Sequence, residues 1–257
     1  MVKSVDRAMT IIQLVSTRKD GYSVTELAEN LGLNKSSIFR IVTTLIEHGF
    51  IQQDEETKKY RLGYQYLELS SKLLDSIDIR KEATPFLKEL EEWTNEVIHL
   101  VIYSQQEAVY IEKLEGNETL RMHSQVGKRA PMHCTSAGKT ILAHLPEKEV
   151  KEMIEQKGLP KHTEKTMTTE AELMKNIRDI RTNGFGVERD ENEVGITCMA
   201  VPIFNFRGDI AGSISISGPS IRMSEERIDQ LKDPFMTIGY KVSRRLGYAR
   251  TTNGEEV

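Results

Sequence analysis

Cysteine is scarce, with two in 257 residues, Cys134 and Cys198. Two distant cysteines make no disulfide framework, and free thiols fit a reducing, cytoplasmic setting. No run approaches the ~18 consecutive apolar residues of a membrane helix. The opening residues, MVKSVDRAMTIIQLV, hold only short apolar runs and no small-residue cleavage site, so no signal peptide is expected. Internal repeats and low-complexity tracts are absent. A positive excess is absent too: the net charge is −4. That average counts against a nucleic-acid partner until it is divided. Residues 1–62 carry nine Lys/Arg against eight Asp/Glu, and the remainder 26 against 31. A basic face on the first segment is compatible with an acidic whole. The 38% of hydrophobic residues is enough for a core, and the length suits one large domain or two modest ones.

The first segment is legible. Val5, Ala8, Ile12 and Val15 recur at helical spacing over 4–17. Gly21 breaks the pattern. Ser23 and Glu26 form a capping box opening a second helix, whose apolar face is Val24, Leu27, Ala28 and Leu31, and Gly32 is placed to stop it. Asn34 caps a third helix, Lys35 to His48, with Ile38, Ile41, Val42 and Leu45 inward. Two short helices joined by a tight turn, the second with small polar and basic residues outward, read as a helix-turn-helix. Phe50 and Ile51 start a strand, Tyr60 and Leu62 belong to a second, and Asp54 to Thr57 turn between them. A hairpin directly after such a helix is a wing.

Residues 64–79 predict another helix, with Tyr66, Leu67, Leu73, Leu74 and Ile77 as an apolar stripe. It either packs on its own domain or pairs two copies; paired half-sites favour the second. Beyond residue 80 the pattern changes. A helix with Ala83, Phe86, Leu87 and Leu90 leads to Trp93. Strands are expected at 97–103, 108–114 and 120–126, helices at 136–145, 147–156 and 170–182, and strands at 196–204 and 209–217. Ser224 caps a last helix. The order implies an α+β domain with a largely antiparallel sheet. The expected domains are 1–63 for the winged helix-turn-helix, 64–79 for the linker, 80–248 for the second domain and 249–257 for a disordered tail.

Four segments, in order, resemble the IclR family of bacterial transcription regulators: SVDRAMTIIQLV, SVTELAENLGLNKSSIFRIVTTL, GKRAPMHCTSAGKTILA, and ENEVGITCMAVPIF followed by SISISGP. The resemblance covers nearly the whole chain. It implies a winged helix, a linker helix, a GAF-like effector-binding domain, and dimers, often dimers of dimers. Repression of a catabolic operon is the usual family mode, and activators also exist.

Candidate DNA contacts follow from chemistry. Arg40 can present a fork of donors to guanine. Lys35, Ser36 and Ser37, at the helix start, suit phosphate oxygens. Thr43 and Thr44 lie further along the same helix, and Lys58, Lys59 and Arg61 place charge on the wing. One dimer would span half-sites about one helical turn, roughly 34 Å, apart. The resemblance implies that the segment around Thr135, Ser136, Ala137 and Gly138 lines the effector pocket; its helix start suits a carboxylate. Lys139 is expected to be a surface charge. The opposite wall would hold Glu188, Asp190, Glu191, Gly195 and Cys198. Many family members have Asp where Glu188 stands, so the longer side chain alters that contact. Ser215 and Ser217 share one face of a strand, toward the cavity or toward solvent, and Met122 would add an apolar wall. The expected ligand is a small organic acid or sugar acid. No cofactor is expected. His133, Cys134 and Cys198, with Glu188 or Asp190, offer zinc-ligand chemistry but no closely spaced ligand pair, so zinc is not the favoured reading. A Cys/His hydrolase lacks a supporting pattern, and His99 and His123 are read as structural. The preferred reading is an effector-gated regulator. The alternatives are a DNA-binding protein whose second domain serves assembly alone, and an enzyme with a fused DNA-binding domain.

Overall fold

The computed structural model describes residues 2–76, 78–116 and 124–249, without the side chains of residues 70, 71 and 73–76. The chain divides into two compact units, Met1–Ile77 and Asp78–Val257.

The first unit comprises α1 (Lys3–Ser16), α2 (Val24–Leu31), α3 (Lys35–Glu47), β1 (Ile51–Gln53), β2 (Tyr60–Leu62) and α4 (Gln65–Ser76). Helices α2 and α3 start where their caps are written. Ser23 Oγ accepts from the Glu26 amide at 3.3 Å, and the Ser23 amide donates to Glu26 Oε2 at 2.8 Å. Gly32 ends α2 in the left-handed conformation, and Asn34 Oδ1 accepts from the Ser37 amide at 2.8 Å. Ile11, Val15, Leu27, Ile38, Val42 and Ile51 are buried together. Each such side chain contributes roughly 1.5–3 kcal/mol by leaving water. In the wing, β1 pairs antiparallel with β2, Gln52 opposite Arg61. The Asp54 carboxylate accepts from the Glu56 and Thr57 amides and the Thr57 hydroxyl, which holds its pKa below the usual value. Tyr22 joins the hairpin: its amide and carbonyl both bond Tyr60. Gly21 makes that possible, with φ of +74° and its α-carbon so close to Tyr60 that a Cβ would sit 2.3 Å from the carbonyl oxygen. On α4, Tyr66 packs edge-on against Phe50 within this unit, while Leu67 is exposed. The side chains of Leu73, Leu74 and Ile77 lie outside the described residues.

The second unit comprises α5 (Ile79–Thr94), β3 (Val97–Ser104), β4 (Glu107–Leu114), β5 (Arg129–Ala130), α6 (Ser136–Leu142), α7 (Glu147–Lys157), α8 (Glu170–Asn183), β6 (Gly186–Arg189), β7 (Ile196–Phe204), β8 (Ile210–Pro219) and α9 (Glu225–Arg245). The sheet runs β5-β4-β3-β8-β7-β6, and every pair is antiparallel. Helices cover both faces: α5 and α9 pack on one, α6 and α8 on the other. Because β3, β7 and β8 are covered on both sides, their two faces differ in chemistry rather than in exposure. Leu100, Val201 and Ile214 are cross-strand neighbours on the α9 side, where Val201 meets Gly239. His99, Ser215 and Ala200 are neighbours on the α6 side.

One strand is new, and one expectation is tested only in part. Strand β6 was not anticipated, because a four-residue GVER segment offers too little alternation to register. The strand expected at 120–126 falls largely on residues 117–123, outside those described, as do Met122 and His123; residues 124–126 are not strand, and the chain rejoins the sheet at β5. The expected disordered tail, 249–257, lies outside the described residues from 250 onward.

Gly21→Ala should destabilise the first unit by roughly 1–3 kcal/mol, through a left-handed non-glycine residue and the lost Tyr60 approach. Faster amide exchange at Tyr22 and Tyr60 is the expected readout; unchanged exchange would refute the strain argument.

Candidate functional site

A cavity of about 210 Å³ lies between the α6 side of the sheet and the start of α6. Its floor is a polar row written across four strands. Glu188 pairs with Cys198, Cys198 with Ser217, and Ser215 with His99. Directly opposed residues of antiparallel strands share a face, so the row is a product of register. Ser215 and Ser217 therefore face the cavity, both buried. Thr135, Ser136 and Ala137 form the roof. Thr135 caps α6 by accepting from the Gly138 amide at 3.1 Å and donates its own hydroxyl to the Pro131 carbonyl at 2.7 Å. Tyr110, Ser124, Asn192 and Glu193 complete much of the lining.

His99, read from the sequence as structural, lines the cavity. It stands at the β3 end of the row, Nε2 2.8 Å from Ser124 Oγ and Nδ1 3.3 Å from Ser215 Oγ. Burial, and after it the Lys113 ammonium, lower its pKa to about 3, so the imidazole is neutral. Its register partner Ser215 was the signal that could have found it. Burial also lifts Glu188 to about 7, against the Glu191 amide, which donates to Glu188 Oε2 at 2.9 Å. Burial drives the Tyr110 hydroxyl upward as well.

Three expectations for the walls change. Lys139 is not a surface charge. It is wholly buried, its ammonium 2.6 Å from both Glu191 oxygens and 3.2 Å from the Val187 carbonyl. Three acceptors satisfy three donors, which is what makes a buried ammonium tolerable. Asp190 does not line the cavity; it pairs with Lys165 at 2.6 Å and accepts from the Gly195 amide at 2.7 Å. Gly138 lies beneath the lining, where a Cβ would stand 2.5 Å from the Met132 carbonyl oxygen. Its role is to let α6 start tight against that backbone. The wall loop is pinned from a distant segment: Thr163 Oγ1 donates to the Asp190 carbonyl at 2.5 Å and Thr166 Oγ1 to the Glu191 carbonyl at 2.6 Å.

Cys134 and Cys198 are both buried free thiols. Burial pushes Cys134 up to about 12 and Cys198 well above its ordinary value. Neither has the thiolate character a nucleophile needs. Among the described residues, the partner gathered beside His133 and Cys134 is His162, not Cys198. The two buried members already have protein partners: His133 Nε2 lies 3.0 Å from the Pro160 carbonyl, and Cys134 donates to Asn192 at 3.6 Å.

In the first unit, Lys35, Ser36, Arg40, Thr43 and Thr44 are exposed on α3 and Ser37 is half-buried. Ser36 Oγ donates to Asn34 Oδ1, and Thr44 Oγ1 to the Arg40 carbonyl. Ser37, Arg40 and Thr44 border a groove with Lys3 and Arg7 of α1. Lys58 is exposed at the wing tip, Lys59 is half-buried, and Arg61 is held 3.8 Å from Asp54. Among the described residues Lys35, Arg40 and Lys58 make no ion pair. Their charge is available to a polyanion.

Comparison with known proteins agrees with both halves. Residues 4–55 match the IclR helix-turn-helix domain, and residues 71–244 match the family described as bacterial transcriptional regulator IclR C-terminal. The chain is 33% identical over 248 residues to the HTH-type transcriptional regulator XynR of Escherichia coli K12, covering 96% of this chain and 98% of that protein. It is 29% identical over 231 residues to the transcriptional repressor IclR of the same organism, covering 89% and 84%. Among solved structures, Pseudomonas aeruginosa HmgR superposes with a TM-score of 0.82 at 27% identity, covering 97% of this chain and all of that one. Among the described residues no helix is long and apolar enough to cross a membrane.

Glu188 sets a pH dependence. A carboxyl raised on folding contributes its full stability below its unfolded pKa, and that contribution fades as pH rises through about 7. Trp93, the single tryptophan, belongs to the second unit, so its fluorescence reports unfolding there. Between pH 5 and 8 the wild-type chain should lose on the order of 1–3 kcal/mol that Glu188→Gln does not lose. Identical pH slopes in the two proteins would rule out a buried neutral carboxyl.

Proposed function

The chain belongs to the IclR family of bacterial transcription regulators, a DNA-binding family whose C-terminal domain binds small-molecule effectors, and from that premise we propose that it is a repressor released from its operator by a small organic acid or sugar acid. The observation that carries this reading is the buried polar row His99, Ser215, Ser217, Cys198 and Glu188 in a cavity of about 210 Å³. That volume is below the ~300–1,000 Å³ of pockets for drug-sized ligands, which fits a compact metabolite. Two serine hydroxyls, a neutral imidazole and a carboxyl suit a ligand rich in hydroxyls. The first-turn amides of α6 at Ser136 and Ala137 have no partners within the helix and suit a carboxylate. Repression is favoured because the E. coli relative IclR is a repressor. Two recognition helices of a homodimer, or of each dimer in a dimer of dimers, would read a palindromic operator. The ligand acts only through its differential affinity for two arrangements of the dimer.

The test is a gel shift on DNA upstream of this protein's own gene, with and without a panel of small carboxylates and sugar acids. One compound should release the shift and raise thermal stability by mass action. A compound that strengthens the shift would mean an activator's or corepressor's logic. A shift and a melting temperature that ignore every compound would favour a second domain that serves assembly alone. Replacing Ser215 and Ser217 with Ala should reduce the compound's effect and leave binding without it intact. Arg40→Ala should weaken operator binding by ~1–3 kcal/mol and relax sequence preference; unchanged affinity would remove Arg40 from the interface.

A further inference from the structure

Phe39 is a large aromatic side chain left 58% exposed among the polar residues Lys35, Ser36, Arg40 and Thr43 on the N-terminal part of α3; the helix's other exposed apolar residue, Ile46, lies near its far end. Phe39 stands in the first half of α3, at the fifth helical position, next to Arg40 and between Ser36 and Thr43 on successive turns. The inward positions Ile38, Val42 and Leu45 are filled and buried, so the first unit does not need Phe39 for its core. The groove that α3 forms with α1 is bordered by Arg40, not by Phe39. A lone exposed apolar side chain is ordinary on a protein surface, so what marks Phe39 is its place, beside Arg40 on the outward surface of the second helix of a helix-turn-helix.

The helix itself narrows the partner. Its outer surface combines unpaired cations, Lys35 and Arg40, with hydroxyls at its N-terminal half, which is the half that contacts base edges when such a helix lies in a major groove. Base edges in that groove are donors and acceptors with a single apolar exception, the C5-methyl group of thymine. We propose that Phe39 is a specificity-determining residue that packs on a thymine methyl beside the base read by Arg40. The inference rests on the DNA-binding reading of α3 and adds to it a demand for thymine at a fixed offset in each half-site. Methyl contact discriminates against cytosine and against either purine without a hydrogen bond, so Phe39 and Arg40 divide recognition between shape and donors.

The experiment uses the full chain. Duplexes are first enriched from a random pool by the wild-type protein. Each thymine in the enriched site is then replaced in turn by uracil, which removes only the methyl group. At one thymine per half-site, wild-type affinity should fall about fourfold, the worth of one buried methyl group. Phe39→Ala should bind the enriched site more weakly and show no further loss on that uracil change, while Phe39→Leu should keep part of the sensitivity. The side chain is exposed, so thermal melting of both variants should match wild type. Phe39→Ala with the full methyl sensitivity, or with wild-type affinity, overturns the inference while the DNA reading stands. A pool that yields no enriched sequence overturns the DNA reading and the inference with it.

Discussion

The second unit depends on one constraint: the antiparallel register that joins β6, β7, β8 and β3. Cross-strand neighbours share a face, so the pairing alone decides that Glu188, Cys198, Ser217, Ser215 and His99 meet on one side and Leu100, Val201 and Ile214 on the other. A slip of one residue would move every member of both sets. It would bury serines and a histidine against α9 and place isoleucines under α6. The apolar face therefore holds the polar one in place. Burying Ile214, Ile216 and Met199 is what fixes where Ser215 and Ser217 point. A ligand cavity built this way needs no separate device to orient its floor.

Burial gives that floor its electrical character. His99 is neutral because the sheet and α6 exclude water around it, and Glu188 is raised toward neutrality for the same reason. Lys139 and Glu191 solve the opposite problem: a full charge in the interior, made tolerable by a bidentate partner and a backbone carbonyl. The cavity thus sits between a zone where groups shed charge and a zone where charge is kept by pairing. The first unit manages charge differently, leaving Lys35, Arg40 and Lys58 in solvent, where they are cheap to hold and free to meet phosphates.

Much of the first unit was legible because its signals are local. Ser23 with Glu26, Gly32, and Asn34 each act within four residues, so caps read from sequence coincide with caps in the structure. The floor of the cavity was half legible. Alternation along β8 showed that Ser215 and Ser217 share a face, but not which face, and His99 belongs beside them only through pairing across more than a hundred residues. Lys139 was misread for a physical reason: a lysine stem with a free end normally reaches solvent, and only a carboxylate 52 residues onward in the chain keeps this one inside. Asp190 was adjacent to the right segment but turned outward by Lys165 and the Gly195 amide. No periodicity announces either outcome, because both are settled by contacts between remote segments.

The pinning of the 190–193 wall by Thr163, Lys165 and Thr166 has a consequence for how such a protein can diversify. The wall is joined to the floor by the Glu191 amide on Glu188 and to α6 by Lys139, and the 163–166 loop holds it besides. The floor is tied to strand register and to the core behind it, so most changes there disturb folding. The 163–166 loop adds a few hydroxyl and ammonium contacts to Asp190 and Glu191 that reach no residue of the floor. Substitutions in that loop can shift Asn192 and Glu193, and with them the size and polarity of the cavity, while the strands stay as they are. Ligand preference can therefore drift among descendants of this chain through residues that never contact the ligand.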